Sequence, residues 1–266
     1  MLFRYFGQQA AWERKGFRFK MPIKLLDSTL VSLTISVYDW AHYTTSKGAV
    51  KMHTLLDYDC LLPEFMNITG GKRTDNKAAF DIEIKPHSIV VADRGYCDYG
   101  LLNHWDSNNV FYVVRHKDDI QHRTIKELPL PEKHAQNVLL DEIIEFELPT
   151  AKDKCPKRLR RIAVWDEEHG FVIELLSNNV TLAASTIAKL YKARWNIEIF
   201  FHNLKQLLRI KSFIGISRNA VETQIWTAMI TMLLFMWLKH IARYKWALAN
   251  LAFLALAQHI YQNRPI

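Results

Sequence analysis

Four side chains in the stretch 190–210, LYKARWNIEIFFHNLKQLLRI, are spaced for chemistry on one side of a helix. Tyr191, Arg194, Glu198 and Lys205 follow one another at intervals of 3, 4 and 7 residues. At about 100° per residue, with Tyr191 as zero, Arg194 falls at about 300°, Lys205 at about 320° and Glu198 at about 340°, an arc about 60° wide. A separate arc carries Leu190, Ala193, Ile197, Phe200, Leu204, Leu207 and Leu208, a core-facing stripe. A rod seated on apolar residues would therefore present one carboxylate flanked by two cations and a phenol. Carboxylate oxygen ligates hard cations, and guanidinium and ammonium groups bind phosphate. Taken alone, the same face also reads as a solvated mixture of charges.

Two further carboxylates stand at the ends of apolar runs. Asp27 follows residues 23–26 and Asp93 follows residues 89–92. Singly, each reads as a strand-end turn residue, before Ser28-Thr29 and Arg94-Gly95 respectively. Together with Glu198 they make two strand-borne aspartates and one helix-borne glutamate, which can converge beside a sheet. Such a set suits Mg2+ or Mn2+ and not soft metals. Two ions held there would activate a water or hydroxyl and stabilise the oxygen leaving phosphorus.

The elements that must position these groups are legible in outline. Beta-branched and apolar runs predict strands over 24–30, 33–38 and 49–56, joined as an antiparallel meander. Gly70-Gly71 marks a turn and residues 76–79 a short helix. A buried strand over 88–92, a helix over 99–105 and a strand over 111–115 follow. Between 117 and 179 the prolines 129, 131, 149 and 156 interrupt the chain, residues 143–148 alternate weakly, and 161–165 and 171–176 form a hairpin around DEEHG. Helices are predicted over 182–208, 220–238 and 246–258. The organisation is thus a basic segment 1–20, a first α/β part 21–116, a β-rich insertion 117–180 and a helical second part 181–266.

The chain has 266 residues, 49% hydrophobic and 23% charged, the balance of a globular protein, and a net charge of +8, which favours a polyanionic partner. Within the insertion, residues 152–161 hold six basic residues in ten. This run reads either as a solvated loop or as a phosphate-contacting arm, with Lys157, Arg158 and Arg160 as its candidate DNA contacts. Cys60, Cys97 and Cys155 are scattered, with no Cys-x-x-Cys pair, which argues against a zinc site or disulfide framework and for a reducing cytosol. The first twenty residues are basic and lack the apolar run of a signal peptide. The longest apolar tract, 225–238, has 14 residues, too short to span a membrane.

The spacing Tyr-x2-Arg-x3-Glu-x6-Lys, here Tyr191, Arg194, Glu198 and Lys205, resembles the Tyr-Arg-Glu-Lys signature of bacterial insertion-sequence transposases of the DDE type. LDSTLVSL around Asp27 resembles the first-aspartate motif of that family, and ADRGY around Asp93 the second. KGAVKMH, residues 47–53, is similar to the strand after the first aspartate. The resemblance runs from about residue 24 to about residue 237. It implies a ribonuclease H-like α/β fold, a mixed sheet flanked by helices with the insertion before the Glu-bearing helix. It implies Asp27, Asp93 and Glu198 as ligands of two Mg2+ or Mn2+ ions, and Tyr191, Arg194 and Lys205 as contacts to DNA phosphate. The implied activity is cleavage and strand transfer at element ends through a hairpin intermediate, by a homodimer on double-stranded DNA in the bacterial cytoplasm, at the nucleoid. Such proteins stack a tryptophan on a flipped base. Trp195 and Trp165 are candidates, the alternative for each being a core tryptophan. His202 also falls on the active arc, as a possible support to the carboxylates. A structure-selective nuclease of the same fold and a non-catalytic DNA-binding remnant are the competing readings.

Only about twenty residues precede the strand carrying Asp27, too few for an independent module. Proteins with this signature carry a helical DNA-binding domain there, so the chain is expected to be an incomplete transposase that does not read its own element ends. In a competition assay at physiological salt, terminal-repeat duplex and scrambled duplex should then compete equally. A clear preference for the repeat would refute this expectation.

Overall fold

The computed structural model describes residues 17, 19–34, 36–41, 43–44, 48–117, 120–130, 137–208 and 213–241. Most of the basic segment 1–20 and the helix expected over 246–258 lie outside them, as do Lys47 and the side chains of Leu207 and Leu208.

The second strand expected, 33–38, is not formed beyond Leu33, where the chain turns at 36–37, and the first, β1 (Ile23–Leu33), runs three residues past its expected end. No Gly, Pro or Asn interrupts it, and it pairs with β2 (Gly48–Asp57) over ten residues, from Lys24↔Asp57 to Leu33↔Gly48. The meander is completed by β3 (Pro63–Gly70), which opens on a proline and was not foreseen. At the first position of a sheet-edge strand that residue forfeits no ladder bond. A short helix α1 (Asp75–Ala79) leads to β4 (Ile89–Ala92), then α2 (Tyr99–Ser107) and β5 (Phe111–Arg115). The insertion supplies β6 (His122–Glu127), β7 (Val138–Phe146), α3 (Pro149–Lys154), β8 (Leu159–Asp166) and β9 (Phe171–Ser177). The chain ends in α4 (Ala184–Ala193), α5 (Trp195–Leu208) and α6 (Arg218–Ile241).

Among the described residues the nine strands form one mixed sheet, in the order β3-β2-β1-β4-β5-β9-β8-β7-β6. β1, β4 and β5 run parallel, while β5 pairs antiparallel with β9. The insertion strands therefore continue the central sheet. Gly170, with φ +70°, lets the chain turn between β8 and β9, which a side chain at that φ would resist.

Helices cover both faces. Leu25, Val91 and Val113 pack with Ile187, Leu190, Ile197, Leu204, Ile225 and Met229 of α4, α5 and α6. Leu26, Ala92 and Val114 pack with Leu101, Leu102, Trp105 and Ala151 of α2 and α3. Strands buried on both faces read as unbroken apolar runs, which is why β4 and β5 were legible. Leu25 and Leu26 are fully buried on opposite faces, so the register of β1 is strongly fixed. A slip of one residue would carry Asp27 to the α2 side.

Helix α6 is the one described helix long and apolar enough to cross a membrane. Val221, Ile225, Met229 and Met232 seat it in the core, while Trp226, Ile230, Leu234 and Leu238 on its other side are exposed. The tract 225–238 thus lies within a longer helix, one side of it in the core and the other exposed.

Arg160 requires a correction. It was a candidate DNA contact, but it is 4% exposed. Its guanidinium donates to both carboxylate oxygens of Asp141 at 2.7 Å and to the Leu182 carbonyl at 2.6 Å. It ties β8 and β7 to the start of the helical part and is closed to DNA. Arg160→Ala should lower unfolding stability by about 3–5 kcal/mol by stranding Asp141, whereas Arg160→Met with Asp141→Leu should be close to neutral. Urea unfolding measures both.

Candidate active site

Alternation along the strands sets the site. Leu25 and Val91 face α4 and α5, so Asp27 and Asp93, two residues on, face the same way. Leu26 pairs with Ala92 at the end of the β1–β4 register, which places Asp27 level with Asp93 one step further. Both stand where β4 ends, at the crevice beyond the carboxyl ends of parallel strands.

The helical side reaches them at two points. The expected single helix breaks at Arg194 into α4 and α5. The Asn196 side chain donates to the Ala193 carbonyl at 2.7 Å, taking the acceptor that the Ile197 N–H would use in a regular helix. That N–H bonds Arg194 O instead, at 3.0 Å. Before the break, the Tyr191 hydroxyl donates to Asp93 Oδ1 at 3.0 Å. At the break, Arg194 Nη1 lies 3.2 Å from Asp27 Oδ2 and Nη2 lies 2.6 Å from Glu198 Oε1. The guanidinium carbon stands 5.6 Å from the centre of the Tyr191 ring. Asp27, Asp93, Glu198, Tyr191 and Arg194 are therefore brought together.

The electrostatics follow from burial. The Asp27 carboxyl is pushed up to about 6, first by burial and also by Asp93 and Glu198, against the lowering effects of Arg194 and the Ser28 N–H. Tyr191 is pushed up to about 12 by burial and by Asp93. Burial opposes the charge of Arg194, but Tyr191, Asp27, Asp93 and Glu198 together outweigh it and raise its pKa. Arg194 Nε is buried with no hydrogen-bond partner. Among the described residues no group of three or more His, Cys, Asp or Glu side chains is arranged to hold a metal ion as it stands. Arg194 occupies the position between two of the carboxylates. The donor set itself, three carboxylates gathered at one site with Asp27 pushed up first by burial and then by its neighbours' charge, fits a hard divalent cation.

Lys205, half-buried two turns along α5 from Glu198, is pushed down by desolvation and has no carboxylate partner among the described residues. Trp195 is 59% exposed, which removes the core alternative. Trp165 is 40% exposed on β8 and pairs with Val172, on the sheet face opposite Asp27 and Asp93. It is therefore displaced from the carboxylates. His202 is exposed and bonded to Gln206 at 2.8 Å, so it does not support the carboxylates. Lys157 pairs with Asp106 of α2, and Arg158, mostly exposed, lies 4.0 Å from Glu145. Lys157 is thereby held on the α2–α3 side of the sheet, whereas Glu145 alternates with Ile144 and Phe146, which face that side.

Asp75 was missed. Its Oδ1 accepts from Ser28 Oγ at 2.6 Å and from Lys51 Nζ at 3.1 Å, and the Ser28 N–H donates to Asp27 at 2.8 Å. A Cβ on Gly95, two residues past Asp93, would stand 3.3 Å from Asp75 Oδ2. Asp75 thus ties Ser28, the residue after Asp27, to Lys51 of β2 and leaves little room beside Gly95, two residues past Asp93. The sequence showed only a carboxylate in the first turn of a short helix.

The sheet thus carries paired aspartates beneath a helix-borne Arg and Glu. The family described as the transposase DDE domain matches residues 18–234, and the chain belongs to it. It is 29% identical over 225 residues to a Geobacillus stearothermophilus protein named as a transposase of insertion sequence element IS5377, covering 85% of this chain and 59% of that protein. It is 32% identical over 209 residues to a Sinorhizobium fredii protein bearing the transposase name y4zB, covering 78% of this chain and 58% of that one. A Synechocystis protein named for insertion sequence element IS4SA is 27% identical over 221 residues, covering 81% of this chain and 60% of that protein. The chain thus spans about three fifths of the length of these relatives.

The raised Asp27 pKa has a consequence for stability. Folded Asp27 takes up its proton below pH of about 6, and the unfolded carboxyl only below 3.8. Its contribution to stability is fully present below 3.8 and is lost as pH rises through about 6. Asp27→Asn should therefore raise metal-free stability at pH 7.5 by about 1–2 kcal/mol, with the gain vanishing near pH 4. Thermal melts in chelator across that range check both the sign and the window.

Proposed function

We propose that this chain is the catalytic portion of an insertion-sequence transposase, cleaving DNA strands at element ends and joining them to a target. The observation that carries the reading is the placement of Asp27 and Asp93 on one sheet face beneath Tyr191, Arg194 and Glu198. The strand order β3-β2-β1-β4-β5, with β1, β4 and β5 parallel, supports the ribonuclease H-like reading of the fold. The net charge of +8 supports DNA as the partner.

Asp27, Asp93 and Glu198 would hold two Mg2+ or Mn2+ ions, which when bound supply Lewis-acid activation of water and stabilise the departing oxygen. The chain's own groups do the rest. In cleavage, a water oxygen bonds to phosphorus, the phosphorus–O3′ bond breaks, the water proton passes to solvent and the 3′ oxygen gains a proton. In transfer, that 3′-hydroxyl attacks a second phosphodiester and a different 3′ oxygen leaves. When the second phosphodiester is the opposite strand at the element end, the product is a hairpin. Arg194, whose buried Nε has an unused donor, and Lys205, without a carboxylate, are the phosphate contacts. An unmade buried donor costs about 1–3 kcal/mol, which a phosphate oxygen would recover. Exposed Trp195, beside Arg194, is the stacking residue for an extruded base. A homodimer across two DNA ends in the bacterial cytoplasm completes the reading.

Glu198→Gln should leave duplex binding largely intact and remove detectable nicking of supercoiled plasmid with Mg2+ or Mn2+. Lys205→Ala should weaken binding and reduce its salt slope by about one. Equal binding losses in the two variants would count against these assignments.

A further inference from the structure

The row that aligns Asp27 with Asp93 does not stop there. Ala92 pairs with Val114 in the β4–β5 register, so the next step places Arg115 level with Asp93. Val113 faces α4 and α5, and Arg115, two residues on, faces the same way. Asp27, Asp93 and Arg115 therefore stand side by side on three adjacent parallel strands, with neighbouring backbones about 4.8 Å apart. The charge of Arg115 acts on Tyr191, the phenol bonded to Asp93.

Arg115 differs from the arginines around it. Arg123, Arg160 and Arg161 are each bound at close range by a carboxylate. Arg115 has no carboxylate partner among the described residues. Its guanidinium carbon instead lies 5.4 Å from the centre of the Phe171 ring. Phe171 opens β9, is 39% exposed and belongs to the hairpin that runs on past the end of β5. Stacking on a ring orients a guanidinium while leaving its N–H fork unused, the form suited to bidentate phosphate binding. Helix α5 lies against β1, so Arg194 and Glu198 close the β1 side of the carboxylates while Arg115 stands on the β5 side.

We infer that Arg115, oriented by Phe171, contacts the phosphodiester backbone of the DNA strand lying over Asp27 and Asp93. This inference rests on the proposed function. It adds a phosphate contact on the insertion side of the site, outside the spaced helix residues, and gives the β8–β9 hairpin a role in holding DNA.

The test compares wild type, Arg115→Gln, Arg115→Lys and Phe171→Leu, each shown to fold by thermal melting. A fluorescein-labelled duplex of random sequence is titrated in chelator at several salt concentrations, and nicking of supercoiled plasmid is followed with Mg2+. Arg115→Gln should bind about tenfold more weakly, with a salt slope smaller by about one. Arg115→Lys should keep the slope and lose part of the affinity, and Phe171→Leu should lose about two- to threefold at constant slope. In nicking, Arg115→Gln should raise KM for plasmid more than it lowers kcat. Unchanged affinity and slope in Arg115→Gln, with wild type binding normally, would overturn the inference alone. A fall confined to kcat would overturn it in favour of a brace on Asp93. A wild-type chain without salt-sensitive binding would overturn the reading of function and this inference together.

Discussion

Asp27 and Glu198 come from a strand near the start of the chain and a helix near its end, and they meet across one guanidinium. Arg194 touches both, at 3.2 Å and 2.6 Å. Without it, buried like charges would stand together with nothing to offset either burial or repulsion, the situation that most strongly disfavours the ionised form. Even with it, Asp27 is pushed up to about 6. The break between α4 and α5 serves the same contact. Asn196 takes over one backbone acceptor, the helix is interrupted at Arg194, and Tyr191 and Glu198 remain within reach of their partners on either side.

The sheet meets this helix because its register leaves no freedom. Leu25 and Leu26 are buried under different layers of helices, so β1 cannot slide, and Asp27 keeps its face. The parallel pairing of β1 with β4 and of β4 with β5 then brings the interior of β1 and the ends of β4 and β5 into one transverse row. The antiparallel pairing of β5 with β9 carries the insertion hairpin onto the same sheet. A rigid scaffold of this kind holds functional groups more closely than loops do.

Much of the site could be read from the residues because its parts lie on regular elements. Tyr191, Arg194 and Glu198 share a helical arc, and Asp27 and Asp93 close apolar runs, so local patterns nominated them and the family resemblance grouped them. The strand expected over 33–38 was misjudged because its beta-branched residues, among them Thr34 and Val37, suggest an extended chain, whereas Val37 and Tyr38 N–H both turn back to the Thr34 carbonyl. The strand β3 was missed because Pro63 and Gly70 bound a run with no strict alternation. Arg160 looked like a surface cation in a basic run, and only the tertiary pairing with Asp141 removes it from the surface. Asp75 and Arg115 were invisible for the opposite reason. Their importance lies in sheet register and cross-strand contacts, which no spacing along the chain encodes.

The distribution of charge around the carboxylates has its own logic. Three carboxylates against a single bridging guanidinium leave the centre of the site negative at neutral pH. A phosphodiester entering alone would be repelled there, since like charges in a partly buried setting interact far more strongly than in water. Further cations packed into the centre would solve that problem by occupying the carboxylates, leaving no ligand oxygens for anything else. Lys205 and Arg115 avoid this by standing at the rim, one on α5 and one on β5, each without a carboxylate of its own among the described residues. Their charge is available to a polyanion passing over the site, while the carboxylates beneath keep only their bonds to Arg194, Tyr191 and the Ser28 N–H. On the proposed function, separating cations at the rim from carboxylates at the floor would let one surface attract DNA and still offer hard oxygen ligands. The sheet register and the spacing of α5 are what keep the two sets apart.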